Sequence, residues 1–296
     1  MRCVIIRVGV KNTFFSFVTI LRRELTHLTF TRSRPRPTNE QTNDMSQQEV
    51  QSQEDPSQPM DSQPVRPSYA RPAWLPEDAG EKGFFVTRMG ASDLKKAAED
   101  AEKLITAALC PYFDSLKGDA KKKATPYTTA KVVDIPDVDN CVFVSLEPKD
   151  ATTNVSDLAC WIVEQLAQGA KWAPRPTHVS RMIPVEGIAN ELELMPLAAN
   201  LLPEHFESVS RAGLRSSTYE VTYEEHSPSV HIFPSVVNGI IGDTLPEGYT
   251  IDLKAPAHTI LVVVAGEACF MSVCDKYRDR AMHFALHKAL AKTAAA

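Results

Sequence analysis

The sequence predicts an α/β (α+β) protein preceded by a disordered tail. Three observations carry this. From Glu81 onward, strand-like apolar runs alternate with helix-like apolar spacings. The first eighty residues show no such periodicity, and from Met45 they are rich in Gln, Ser and Pro, a composition that cannot bury enough surface to fold. Finally, 43% hydrophobic residues in a chain of 296 supply one large core or two modest ones.

Taken in order, GFFVTR at Gly83 to Arg88 predicts a short buried strand. After Ser92, a candidate N-cap, apolar residues at Leu94, Ala97, Ala98, Ala101, Leu104, Ile105, Ala108 and Leu109 line one face of a helix. A loop with Lys121, Lys122 and Lys123 leads to a weak strand at Ala130 to Ile135 and a strong one at Cys141 to Leu146. This succession suits a small ferredoxin-like unit, assigned to residues 81–150. Beyond it, Leu158, Ala159, Ile162, Val163 and Leu166 mark a helix, followed by a Pro-rich loop at Lys171 to Pro176 and a strand at His178 to Ile183. A helical stretch from Ile188 to Phe206, interrupted by Pro196, precedes a strand at Thr218 to Tyr223. Thr259 to Ala265 is the most apolar strand, and Cys269 to Cys274 pairs with it across a turn at Gly266. Residues 281–296 form at most one helix, through Met282, Ala285, Leu286 and Leu290.

Residues 1–39 carry eight basic side chains against one acid, Glu24. A mitochondrial presequence, a basic nucleic-acid-binding tail and a gene-model extension with the start at Met45 all fit this bias. The last is the preferred reading, with 1–80 as a disordered tail. Residues 81–296 carry 22 basic and 28 acidic side chains, so an RNA site there must be a local patch. The six cysteines are scattered, with no CxxC pair to complete a zinc site. They read as reduced, mostly buried thiols, and no metal or cofactor is expected. No stretch of eighteen apolar residues occurs, so no membrane partner is expected.

The order GFFVT, NCVFV at Asn140 to Val144, SRMIP at Ser180 to Pro184, IDL…P at Ile251 to Pro256 and CFMSVCDKY at Cys269 to Tyr277 resembles the eukaryotic THUMP-domain tRNA acetylation adaptors. The resemblance implies a THUMP domain at 151–280 beside the ferredoxin-like domain. It also implies that the pair binds tRNA at the acceptor end. A partner RNA cytidine acetyltransferase would then use acetyl-CoA and ATP to make N4-acetylcytidine, in the nucleus or nucleolus, or in mitochondria if residues 1–44 are translated.

RNA ends and single strands are held by cations on phosphates and by side chains reaching exposed bases. Candidate RNA-binding residues are Lys171 and Arg175 in the Pro-rich loop, Arg181 in SRMIP, Arg211 and Arg215 before the strand at Thr218, His226, and Lys254 after the Asp of IDL. Arg181 stands where the family pattern has a basic strand residue. His226 and Ser227 stand where family members tend to carry an Arg-Asn pair, with Glu224 and Glu225 beside them. A histidine is a weaker phosphate clamp than a permanently charged guanidinium, and two acids repel RNA.

No catalytic residues are expected. The chain has no GxSxG elbow, no Walker loop and no GxGxxG, and Glu191 with Glu193 reads as a solvated helix face. Fewer than twenty residues follow Tyr277, too few for the catalytic blocks of THUMP-containing enzymes. The expectation is a non-catalytic tRNA-binding adaptor. Its alternatives are an RNA-modifying enzyme with an unrecognised active site, or a protein-interaction module that has lost RNA binding.

Overall fold

Alternating runs such as GFFVTR and CVFVSLE can satisfy their backbone and bury their side chains only by pairing, and the computed structural model shows how they do so. It describes residues 4–10, 13–19, 68–211, 218–226, 231–275, 277–280 and 282–295. Among the first sixty residues, Val4–Val10 (β1) pairs antiparallel with Thr13–Thr19 (β2). The remainder of the chain is a separate unit.

That unit opens with Gly83–Arg88 (β3), the helix Leu94–Ser115 (α1) and a short helix Gly118–Lys123 (α2). Thr129–Asp134 (β4), Cys141–Glu147 (β5), the helix Val155–Ala167 (α3) and Val179–Val185 (β6) follow. The strands pair antiparallel in the order β4-β5-β3-β6. With α1 and α3 as crossovers, this is the βαββαβ ferredoxin-like arrangement. The boundary expected at residue 150 therefore cuts the motif. Its second helix and fourth strand lie beyond it, because β3 has an open edge that only β6 fills. The N-cap of α1 is Asp93, not Ser92; its side chain accepts from the Lys95 amide.

The chain then passes through Gly187–Asn190 (β7) into the helix Leu194–Arg211 (α4), with Thr218–Glu225 (β8), the helix Pro234–Thr244 (α5) and Thr250–Ile251 (β9) after it. His258–Ala265 (β10) and Ala268–Asp275 (β11) form a hairpin, and Tyr277–Arg280 (α6) and Leu286–Ala295 (α7) end the fold. The second sheet has the order β7-β11-β10-β8-β9, antiparallel at β7, β11 and β10 and parallel at β10, β8 and β9. Ile188 and Ala189, expected in a helix, are strand residues paired with Phe270 and Cys269. The Asn190 side chain then accepts from the Leu192 amide, and helix begins only there. Pro196 sits in the first turn of α4, where its missing N–H has no intrahelical partner to lose. Gly266 turns the β10-β11 hairpin at φ 58°, and a Cβ there would lie 2.8 Å from the Pro136 carbonyl oxygen.

Side chains of β10 alternate between two cores. Leu261, Val263 and Ala265 join the core of the ferredoxin-like unit, whereas Ile260, Val262 and Val264 join a core with Leu197, Leu202, Phe206, Val237 and Ile241. Phe270 ties the sheets together, its ring 5.2 Å from Phe85 and 5.8 Å from Phe143. Its truncation to Ala would cost roughly 3–5 kcal/mol. Of the stretch expected as tail, residues 68–80 belong to this unit. Leu75 and Ala79 are buried in the first core, and the Asn190 amide donates to the Ala70 carbonyl. An apolar anchor at Trp74 and Leu75 makes residues 68–82 part of the fold.

Candidate nucleic-acid interface

β8 reads TYEVTYEE, so its even positions Glu220, Thr222 and Glu224 share one face while Tyr219, Val221 and Tyr223 pack into the second core. The two acids on that face are met by arginines. Arg181, on β6, donates from Nη1 to Glu224, from Nη2 to the Tyr277 hydroxyl (3.2 Å) and from Nε to the His283 carbonyl (3.1 Å). Arg278 grips Glu220 with two nitrogens, and Glu220 also accepts from the Thr259 hydroxyl. Burial alone would raise the Glu224 carboxyl pKa, but His226 and Arg181 outweigh it and hold the group below the usual carboxylate range. Burial likewise pushes the Tyr277 phenol up to about 12.

Arg181 is therefore placed as a half-buried structural cation. Its guanidinium also fixes an unusual turn, since Met282, His283 and Phe284 all take left-handed backbone conformations (φ 47°, 57° and 55°). His226 lies against Phe85, ring to ring at 5.2 Å, with Nε2 3.6 Å from Glu224. Arg181 and His226, two expected RNA contacts, thus converge on one carboxylate. Sequence reasoning missed Arg278, His283 and Lys288, which gather around this turn. Burial first, then Lys288, Arg181 and Arg278, holds the His283 pKa below the ordinary histidine value.

The other expected cations are placed differently. Lys171 and Arg175 stand exposed on the loop between α3 and β6, and neither has an ion-pair partner among the described residues. Trp172 lies between them in sequence, stacked on Trp161 with centroids 5.1 Å apart and planes 12° apart. Lys254 is exposed beyond β9, where Asp252 accepts from the Lys254 and Ala255 amides. Arg211 ends α4 with its side chain outside the described residues, and Arg215 lies outside them altogether.

No group of three or more His, Cys, Asp or Glu among the described residues is arranged to hold a metal ion. Cys269 and Cys274 fall on opposite faces of β11, and Cys274 instead meets Cys160 of α3, sulfur to sulfur at 3.6 Å in the interior. No helix among the described residues is long and apolar enough to cross a membrane. The arrangement offers two chemistries: a neutralised ionic cluster around β6 and β8, and an aromatic loop whose cations have no ion-pair partner among the described residues.

A scan against protein-family models and a search of curated proteins find no match to the chain. Among solved structures, PH1313 from Pyrococcus horikoshii OT3 superposes with a TM-score of 0.40 at 10% identity, covering 66% of this chain and 55% of that one. A 4-thiouridine synthetase in complex with RNA and ATP gives 0.36 at 12%, covering 67% and 42%. TrmN from Thermus thermophilus gives 0.29 at 15%, covering 64% and 44%. The chain thus spans about half the length of the solved chains it matches.

Proposed function

We propose that the protein is a THUMP-type tRNA-binding adaptor that presents tRNA to a separate RNA cytidine acetyltransferase and has no catalytic centre of its own. The observation that carries this reading is where the landmarks of the resemblance fall. GFFVT is β3, NCVFV enters β5 and SRMIP lies on β6, three strands paired side by side. CFMSVCDKY is β11 with the start of α6, packed on the same core through Phe270. Short matches far apart in the chain are thus adjacent in space, which supports reading them as parts of one fold.

In this role the chemistry is positional. The protein grips tRNA through its backbone, the partner acts on a cytidine at a fixed distance, and binding energy supplies orientation. Acetyl-CoA and ATP belong to the partner's reaction, and the place of action is the nucleus or nucleolus. The test is N4-acetylcytidine in tRNA purified from cells lacking the protein. Loss of the mark, restored by re-expression, is the expected result; an unchanged mark removes the acetylation role.

The neutralised cluster at Arg181 and His226 favours one second reading, a protein-interaction module that has lost RNA binding. Absence of tRNA binding at about 50 mM salt, where phosphate contacts are strong, would select it.

A further inference from the structure

We propose that Trp172 is a stacking platform for an unpaired RNA base, with Lys171 and Arg175 holding the phosphates to either side. The proposal deepens the tRNA-binding reading and rests on it.

Three features of the loop point to this site. The first is the indole itself. One face of Trp172 lies on Trp161, which meets Tyr112 edge-on at 5.6 Å, so the ring is backed by a rigid aromatic column rooted in the core. Trp172 is only half-buried, so part of its ring remains open to solvent beside the contact with Trp161. Any base has a π-face to lay there.

Charge is the second feature. Lys171 and Arg175 are exposed without ion-pair partners among the described residues, unlike Arg181 and Arg278, which are taken up by carboxylates. An aromatic face with a cation before and after it in the chain matches the pattern by which single strands are held: stacking for bases, cations for phosphates.

The third is rigidity. At its start Gly169 adopts φ 71° and the Ala170 amide donates to the Gln165 carbonyl; Pro174 and Pro176 restrict the middle. At its end the Asp100 carboxylate of α1 accepts from the Thr177 amide, the His178 amide and His178 Nδ1 at 2.9–3.1 Å. A loop pinned at both ends loses little entropy on binding.

The experiment uses the full chain and a labelled single-stranded oligouridylate of about 12 nucleotides, within the range of known single-strand site sizes. Trp172→Ala is expected to weaken binding about tenfold with the salt dependence unchanged, and Trp172→Phe to retain most of the affinity. Lys171→Ala with Arg175→Ala, both exposed and outside the core, should reduce the slope of log affinity against log salt by about 1.4. Binding should also quench tryptophan emission, less so in Trp172→Phe.

Parental affinity in Trp172→Ala with a native near-UV circular dichroism spectrum would overturn the platform. So would failure of the parent chain to bind the oligonucleotide, or an unchanged salt slope in the double variant. If any of these is found while the parent still binds tRNA, the adaptor reading stands and the platform alone falls. If the parent binds neither RNA at about 50 mM salt, both fall.

Discussion

Two regions carry four of the seven basic residues that the sequence offers to RNA, and the fold treats them in opposite ways. On β6 and β8, Arg181 and His226 converge on Glu224, and nearby Arg278 is held by Glu220. On the loop after α3, Lys171 and Arg175 have no carboxylate partner among the described residues, and an indole lies between them in sequence. A cation that faces the acids of β8 from another element is consumed by the fold, whereas the cations on the pinned loop meet no carboxylate among the described residues. Sequence position alone does not separate the two cases; the alternation of β8 does.

The largest effect that would break this comparison is charge reversal. Lys171→Glu with Arg175→Glu should lower tRNA affinity at least about tenfold at low salt while leaving the free energy of unfolding within about 0.5 kcal/mol of the parent. Arg181→Glu should do the reverse and unfold the region, because it sets a second carboxylate against Glu224 and releases the left-handed turn at His283.

A milder truncation, Arg181→Ala, should cost about 2 kcal/mol by urea denaturation, since it leaves Glu224 largely buried and short of a partner. Asp100→Ala should cost a similar 1.5–3 kcal/mol, with weaker RNA binding as well, because it frees the end of the loop. An Asp100 effect on stability without one on binding would separate the loop from the RNA site.

Acid should erode both regions together. Glu224 and Asp100 are held below their ordinary values, burial opposing and their hydrogen-bonded partners prevailing. A depressed carboxyl contributes stability above its unfolded value near 4 and loses it as pH falls through the folded value. Thermal midpoints should therefore be insensitive to these groups at neutral pH and fall on acidification below about pH 4. Glu224→Gln should flatten that fall. The smallest expected effect is at Lys254, exposed and without an ion pair among the described residues, where Lys254→Ala should leave stability within about 0.5 kcal/mol.

Much of the fold was legible because its strands are continuous apolar runs. β3, β5, β6, β10 and β11 fall within a residue or two of where GFFVTR, CVFVSL, the run after His178, TILVVVA and Cys269 to Cys274 place them. β7 was not legible, since four residues entering a helix look like its first turn until β11 is known to pair with them. The true end of the ferredoxin-like unit was hidden for a similar reason: β6 belongs to it by pairing with β3, a long-range fact with no local signal. Residues 68–80 read as tail because a few anchors, Trp74 and Leu75 among them, do not make a period.

At the site, the exposed placement of Lys171 and Arg175 follows from the Pro-rich loop that carries them. Trp172 had no periodic pattern to single it out and gains meaning only from Trp161, on a different element. The acidic row was readable in YEVTYEE once its odd positions are taken as the buried face, and it would have warned that Arg181 and Arg278 have partners.

The measurement that tests the account most directly is tRNA affinity against salt concentration for three full-length proteins: the parent, Lys171→Glu with Arg175→Glu, and Arg181→Ala. The account predicts that the loop variant loses affinity and salt slope while keeping its stability, and that Arg181→Ala loses stability while its folded fraction binds with the parental salt slope. A parental affinity in the loop variant, with the slope reduced in Arg181→Ala instead, would contradict it and move the RNA contact to the β6 cluster.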